Sequence, residues 1–488
     1  MKDLLPDHRT STGISGLDGI LCGGLVPQRA YLLRGGPGSG KTTLGLHFLA
    51  AGVAAGESVL YITLEESEAN IRSNASRLGM DTSSFNFLDL GPSSSFFSEL
   101  ETYDIFSPAE VEREPITTSI VEAVKRFKPA RVFVDPMTQL RYLSSDVFNF
   151  RRQVLSFIRL LVEHGASVVY TSEHSPEAPD DDLQFMSDGV IELGVSIDGR
   201  TISVVKHRAS NAVSGLHAMR LTDSGMEVYP RMVPSEHRKA FSAECLSSGV
   251  TEIDQLLNGG IERGTITILT GPTGVGKTTL GLQFMKEAAV RGERSVVYSF
   301  EEDPEIMIHR AQSIGIPARE MINRGNLVIQ KIEPLRWSPY EFAQLVRREV
   351  EEHAARIVMI DSVAGYELTL RGKDLASHLH ALTKYLQNMN VAVLLLAETS
   401  AVVGEFKVTD VGISYMGDNV VFLRYLEIQG DIRKAIGVLK KRMSNFEKKL
   451  REFEITSSGI KVGKPLSDLR GILLGTPEWI VPEERGKT

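Results

Sequence analysis

One pattern occurs twice and limits what this chain can fold into. The first copy reads Gly35-Gly36-Pro37-Gly38-Ser39-Gly40-Lys41-Thr42-Thr43, and the second Gly271-Pro272-Thr273-Gly274-Val275-Gly276-Lys277-Thr278-Thr279. Each follows a short apolar run and opens an amphipathic one, the strand–loop–helix context of a phosphate-binding loop. Its glycines let backbone N–H groups turn toward phosphate oxygens, and the positive end of the helix dipole adds to them. Lys41 and Lys277 are placed to reach the β- and γ-phosphates of a nucleotide, and the hydroxyls of Thr42 and Thr278 to reach Mg²⁺.

The repetition extends beyond the loops. Ser11-Thr12-Gly13-Ile14-Ser15-Gly16-Leu17-Asp18 corresponds to Ser247-Ser248-Gly249-Val250-Thr251-Glu252-Ile253-Asp254, at an offset of 249 − 13 = 236, the same as 271 − 35 = 236 between the loops. Glu65-Glu66 recurs as Glu301-Glu302 at that offset too. A period this long is domain duplication, not a solenoid repeat. The expected organisation is a first domain over 1–230, a linker over 231–246, a second domain over 247–460 and an arm over 461–488. In each half β-branched runs alternate with helical patterns, which predicts an α/β fold with a mostly parallel sheet flanked by helices. The predicted strands are 31–33, 58–64, 131–134, 167–171 and 189–193, then 265–269, 295–300, 356–360, 391–396 and 419–425; 91–115 reads as an inserted loop.

Composition excludes little but points one way. The net charge of −8 gives the chain no global attraction to nucleic acid or anionic lipid. A nucleic-acid-dependent motor, the competing class for paired nucleotide domains, needs a basic channel laced with aromatics, and no such run follows Asp135 or Asp361. Nothing approaches the ~20 apolar residues of a membrane span. Cys22 and Cys245 lack metal-type spacing and read as reduced, partly buried thiols. A cytoplasmic protein is expected.

The remaining chemistry is carried by carboxylates. Asp135 ends the run Arg131–Val134 and Asp361 ends Ile357–Ile360, where a Walker-B aspartate holds Mg²⁺. They are followed by Pro136 and Ser362, so neither has the adjacent glutamate that many ATPases use to activate water. Glu65 and Glu66, and Glu301 and Glu302, follow the second predicted strand of each half and become the candidate catalytic bases.

These motifs together resemble the KaiC family of tandem RecA-like ATPases, over both halves and as far as Gly471-Ile472-Leu473-Leu474-Gly475-Thr476-Pro477. The resemblance implies a homohexameric double ring with ATP and Mg²⁺ held between subunits. It implies an ATPase in the first half and an ATPase with autokinase activity in the second. Glu65 and Glu301 would be the first-choice bases. Lys206-His207-Arg208 and Lys440-Lys441-Arg442 resemble the family's Lys-x-Arg element, so that Lys206, Arg208, Lys440 and Arg442 would reach a neighbour's γ-phosphate. Ala209 and Met443 stand where that pattern has glycine. Ser414 and Tyr415 fall on the two phosphoacceptor positions, with Glu301 taking the Ser414 proton and a neighbour's Lys440 steadying the phosphoryl group. The clock partners KaiA and KaiB lie outside this chain, and a KaiB-like protein is the partner the resemblance suggests.

Overall fold

The computed structural model describes residues 9–91, 113–141, 146–173, 180–197, 199–370, 374–399, 412–472 and 478–479. The chain divides into two compact units, residues 1–231 and 232–488. Most of the predicted insertion, and the stretches 473–477 and 480–488, lie outside the described residues.

In the first unit nine strands form one sheet: β1 (Ala30–Gly35), β2 (Val59–Thr63), β3 (Asn86–Asp89), β4 (Arg131–Asp135), β5 (Ser167–Glu173), β6 (Gly189–Ser196), β7 (Gly199–His207), β8 (His217–Thr222) and β9 (Gly225–Tyr229). Their order is β3-β2-β4-β5-β1-β6-β7-β8-β9. The strands from β3 to β6 pair in parallel. From β6 onward the pairing is antiparallel. Side chains alternate across the sheet as strand geometry demands. Tyr31, Leu33, Tyr61, Phe133 and Val169 pack on one face with the helix Lys41–Ala54, while Leu32, Leu60, Val134 and Tyr170 pack on the other with the helix Val147–Glu163. Burial on both faces explains why the parallel strands read as continuous apolar runs.

The second unit repeats the plan. A two-residue pair, β10 (Cys245–Leu246) with β11 (Ile261–Glu262), precedes β12 (Ile266–Gly271), β13 (Arg294–Ser299), β14 (Leu327–Lys331), β15 (Ala355–Asp361), β16 (Ala392–Glu398), β17 (Asn419–Ile428), β18 (Asp431–Lys441), β19 (Arg451–Thr456) and β20 (Gly459–Pro465). The sheet order is β14-β13-β15-β16-β12-β17-β18-β19-β20, the same permutation as in the first unit.

Every predicted strand is present to within a few residues. The antiparallel extensions β7–β9 and β18–β20 were not foreseen, because they carry mixed polar residues with part of their surface exposed and offer no continuous apolar run. Residues 459–465, where the arm was expected to begin, form the sheet's last strand. Within the expected linker Met232 is buried in the core of the second unit, and the turn Pro234–Glu236 follows, its Pro234 carbonyl accepting from Asn388 Nδ2 at 2.7 Å. Cys22 and Cys245 are free as expected but exposed, contrary to their reading as partly buried.

Candidate functional site

Each P-loop joins the end of a central strand to a helix: β1 to Lys41–Ala54, and β12 to Lys277–Val290. The turn into the helix is made by Gly40 (φ +106°) and Gly276 (φ +119°), left-handed conformations that glycine alone adopts without strain. Space is tight as well, since a Cβ on Gly276 would lie 2.6 Å from Ile455 Cδ1, which would have to move. Thr43, Thr279 and the buried Val275 lie within these loops and first turns.

The two lysines occupy the same pose. Lys41 Nζ donates to the carbonyls of Gly35 (2.7 Å) and Gly36 (3.1 Å), and Lys277 Nζ to those of Gly271 (2.8 Å) and Pro272 (3.0 Å). Burial pushes both ammonium groups below the ordinary lysine range, against the pull of Asp135 and Glu173 at the first and of Glu398 and Asp361 at the second. A cation held this way gains by meeting an added anion.

Beside each lysine stands a hydroxyl–carboxylate pair. Thr42 Oγ1 donates to Asp135 at 2.7 Å, and Thr278 Oγ1 to Asp361 at 2.8 Å. Asp135 also accepts from Thr171 Oγ1 (2.5 Å) and Tyr61 OH (3.1 Å). Desolvation raises the Asp361 carboxyl to about 6, with Glu302 and Glu301 adding to the rise and the Thr278 hydrogen bond opposing it. Hard oxygen donors around a desolvated carboxylate fit Mg²⁺. The peptide bond after each aspartate is cis.

The glutamate pairs follow β2 and β13, on the same side as the loops. In the second unit Ser362 Oγ donates to Glu301 Oε1 at 2.7 Å, and Arg310 pairs with Glu302 at 2.7 Å. In the first unit the amides of Gln139 and Asn74 face Glu65 (3.4 Å) and Glu66 (3.0 Å). Burial raises the Glu66 carboxyl, with Asp135 and Glu65 adding to the rise. In the second unit these groups surround a cavity of about 330 Å³ lined by Thr273, Gly274, Gly276, Lys277, Thr278, Thr279, Glu301, Glu302 and Asp361. Size and lining suit the phosphate end of a nucleotide.

Several cavity residues were missed from the sequence. Glu398, at the end of β16, accepts from Thr273 Oγ1 (2.8 Å) and lies 3.6 Å from Lys277. Arg310 and Lys434 also line the cavity, and Lys434 Nζ reaches the Gly274 carbonyl at 3.3 Å. Arg200 contacts the Gly38 carbonyl in the corresponding way. One signal was available: Glu173 and Glu398 both end the strand after the Walker-B strand, at 398 − 173 = 225, one residue from the spacing 361 − 135 = 226 of the aspartates.

The remaining candidates lie elsewhere. Lys440 pairs with Val420 and Lys441 with Asn419, at the start of β17. Asn419 in turn stands beside Thr267, four residues or about 13 Å of strand before the P-loop end of β12. Lys440 Nζ donates to the Gly417 carbonyl (2.6 Å), and Arg442 contacts Asp418 (3.2 Å) and the Tyr415 carbonyl (3.2 Å). Ser414 and Tyr415 form the turn beside them, with the Tyr415 side chain exposed. Lys206, near the end of β7, likewise pairs with Val190 near the start of β6 and donates to the carbonyls of Gln184 (2.8 Å) and Phe185 (3.3 Å), with Arg208 two residues on. The expected pairing of Glu301 with Ser414 is therefore absent within one chain, because the two residues sit at opposite ends of the same sheet.

Duplicated P-loops on parallel sheets, each with a lysine, a threonine–aspartate pair and paired glutamates, define a tandem RecA-like P-loop protein. A family model described as the KaiC ATPase matches twice, over residues 10–233 and 246–467. The chain belongs to the KaiC family of ATPases. It is 28% identical to the circadian clock protein KaiC3 of Synechocystis sp., covering 98% of this chain and 96% of the relative. It is 27% identical to the circadian clock oscillator proteins KaiC of Parasynechococcus marenigrum (98% and 95% covered) and Synechococcus elongatus (98% and 93%). Among the described residues no helix is long and apolar enough to cross a membrane.

Proposed function

We propose that the chain works as a double-ring homohexamer that hydrolyses ATP at subunit interfaces in both halves, and that its second half also transfers phosphate to Ser414. The observation that carries this reading is the separation of Lys440 and Arg442 from the P-loop of their own sheet. Cations at the far end of the sheet cannot serve their own cavity, but subunits arranged head to tail bring them to a neighbour's.

In each cavity Lys41 or Lys277 would leave its loop carbonyls for the β- and γ-phosphates, joined by the N–H groups of Gly36, Gly38, Ser39 and Gly40, or of Thr273, Gly274, Val275 and Gly276. Thr42 with Asp135, and Thr278 with Asp361, would hold Mg²⁺, which supplies charge neutralisation between the phosphates. Glu65 and Glu301 would orient and deprotonate the attacking water, with Glu66 and Glu302 in support. The neighbour's Lys206 and Arg208, or Lys440 and Arg442, would neutralise charge developing on the γ-phosphate. For phosphoryl transfer a neighbour's Ser414 hydroxyl enters the same cavity and gives its proton to Glu301, so acceptor and cations arrive together. Tyr415 is the second acceptor position, its hydroxyl carried further from the backbone. The output would be regulatory, read by a partner such as a KaiB-like protein.

The test is phosphopeptide and intact-mass analysis after incubation with ATP and Mg²⁺. Phosphate on Ser414 is expected in the natural chain and absent from Ser414→Ala and Glu301→Gln. Continued ATP turnover with no phosphate on any variant would remove the autokinase and leave the ATPase.

A further inference from the structure

The two halves differ at one position beside the acidic pair. The helix after Glu65-Glu66 is Glu68–Arg77, and the helix after Glu301-Glu302 is Pro304–Ser313. Asn74 and Arg310 occupy equivalent places, since 310 − 74 = 236 is also 302 − 66 = 236. Both reach back to the second glutamate: Asn74 Nδ2 to Glu66 Oε1 at 3.0 Å, and Arg310 to Glu302 Oε2 at 2.7 Å. Only the second is an ion pair, and it lies in the wall of the cavity.

An amide holds a carboxylate through a neutral donor. A guanidinium makes a charge-assisted bond roughly twice as strong and presents its donors in a rigid planar fork, so it holds its partner's orientation more firmly. The first glutamates are both held by neutral donors, at different distances. Ser362 Oγ donates to Glu301 at 2.7 Å, whereas its counterpart Pro136 has no hydroxyl and Glu65 is met instead by the Gln139 amide at 3.4 Å.

We propose that Arg310 is a positioning residue of the second site, clamping Glu302 so that Glu301 is the single carboxylate aimed at the reacting phosphate. The two sites of one chain are then built differently: a clamped acidic pair in the second half and an amide-held pair in the first. A fixed Glu301 would be held in line for a hydroxyl group as well as for water.

This rests on the reading of Glu301 as base, and the test keeps the two apart. In full-length chains silenced at the first site by Glu65→Gln, ATP turnover is measured for Arg310→Asn, Arg310→Lys, Glu302→Gln and the double variant Arg310→Asn/Glu302→Gln. Arg310→Asn is expected to lower kcat about 10-fold with KM for ATP within about twofold, the size typical of losing a residue that orients a reactive group. Arg310→Lys keeps the charge and retains most of the rate. The double variant loses no more than Glu302→Gln alone, because Arg310 acts through Glu302. A rise in KM with kcat unchanged would mean Arg310 binds phosphate directly and would overturn the proposal. So would losses that multiply in the double variant, or an unchanged rate in Arg310→Asn. If Glu301→Gln in the same background leaves turnover intact, the functional reading itself fails, and this inference with it.

Discussion

At the scale of single residues, chemistry here depends on which groups burial leaves uncompensated. His217 is fully buried; the Arg231 N–H donates to its Nδ1 at 2.8 Å, and its Nε2 faces the Val213 carbonyl at 3.0 Å. That arrangement suits the neutral ring, and desolvation holds its pKa below the ordinary imidazole value, as it does for His47, whose Nε2 accepts from Met226 N at 2.8 Å. In both the folded-state pKa is depressed, so the unfolded chain binds more protons once the pH drops below about 6.5. The first unit should therefore lose stability as pH falls through that value, by up to about 1.4 kcal/mol per pH unit for each histidine. Urea unfolding at pH 7.5 and 5.5 checks this, and His217→Gln should flatten the dependence; equal stability at both pH values would refute it.

At the scale of elements, the end of β18 has a structural anchor between the half-buried Lys440 and the exposed Arg442. Lys441 is buried, with Nζ 2.8 Å from Glu262 on β11 and a further contact to the Leu257 carbonyl; Ser444 donates to the same glutamate at 3.0 Å. In the sequence Lys440 and Arg442 are singled out, and Lys441 between them has no assigned role. The strand's alternation supplies one, turning Lys441 inward and its neighbours outward. Removing one partner of a buried ion pair leaves the other charge stranded. Lys441→Ala should cost about 3–5 kcal/mol in urea unfolding, and Lys441→Met with Glu262→Leu much less. If the single and double variants lose equally, the pair is not what anchors the strand.

At the scale of the whole molecule, the proposed head-to-tail ring would make each site the work of two chains, since the P-loop and the Lys-x-Arg element of one chain lie apart. Chains carrying Lys277→Ala keep their own Lys440, and chains carrying Lys440→Ala keep their own P-loop. With the first sites silenced by Glu65→Gln, each variant alone should turn over ATP slowly. Mixing them should restore a measurable fraction of the rate, because some interfaces then contain both intact elements. No recovery in mixtures whose subunits demonstrably exchange would place the cations outside the site.

The sequence by itself determined the duplication, the parallel strands and the P-loop lysines and threonines, because backbone-driven phosphate binding and double-sided burial each impose a local pattern. Asp135 and Asp361, which end strands, and the glutamate pairs, which follow β2 and β13, were legible for the same reason: each lies at a strand's carboxyl end, which must face the loop. The tertiary structure alone decided which groups complete the cavity. Glu398, Lys434 and Arg310 are far from the P-loop along the chain and reach it only through sheet order and helix packing, while β18 carries Lys440 away from the cavity its own chain forms. Register and strand direction are long-range properties, set when the sheet assembles, and no local pattern records them.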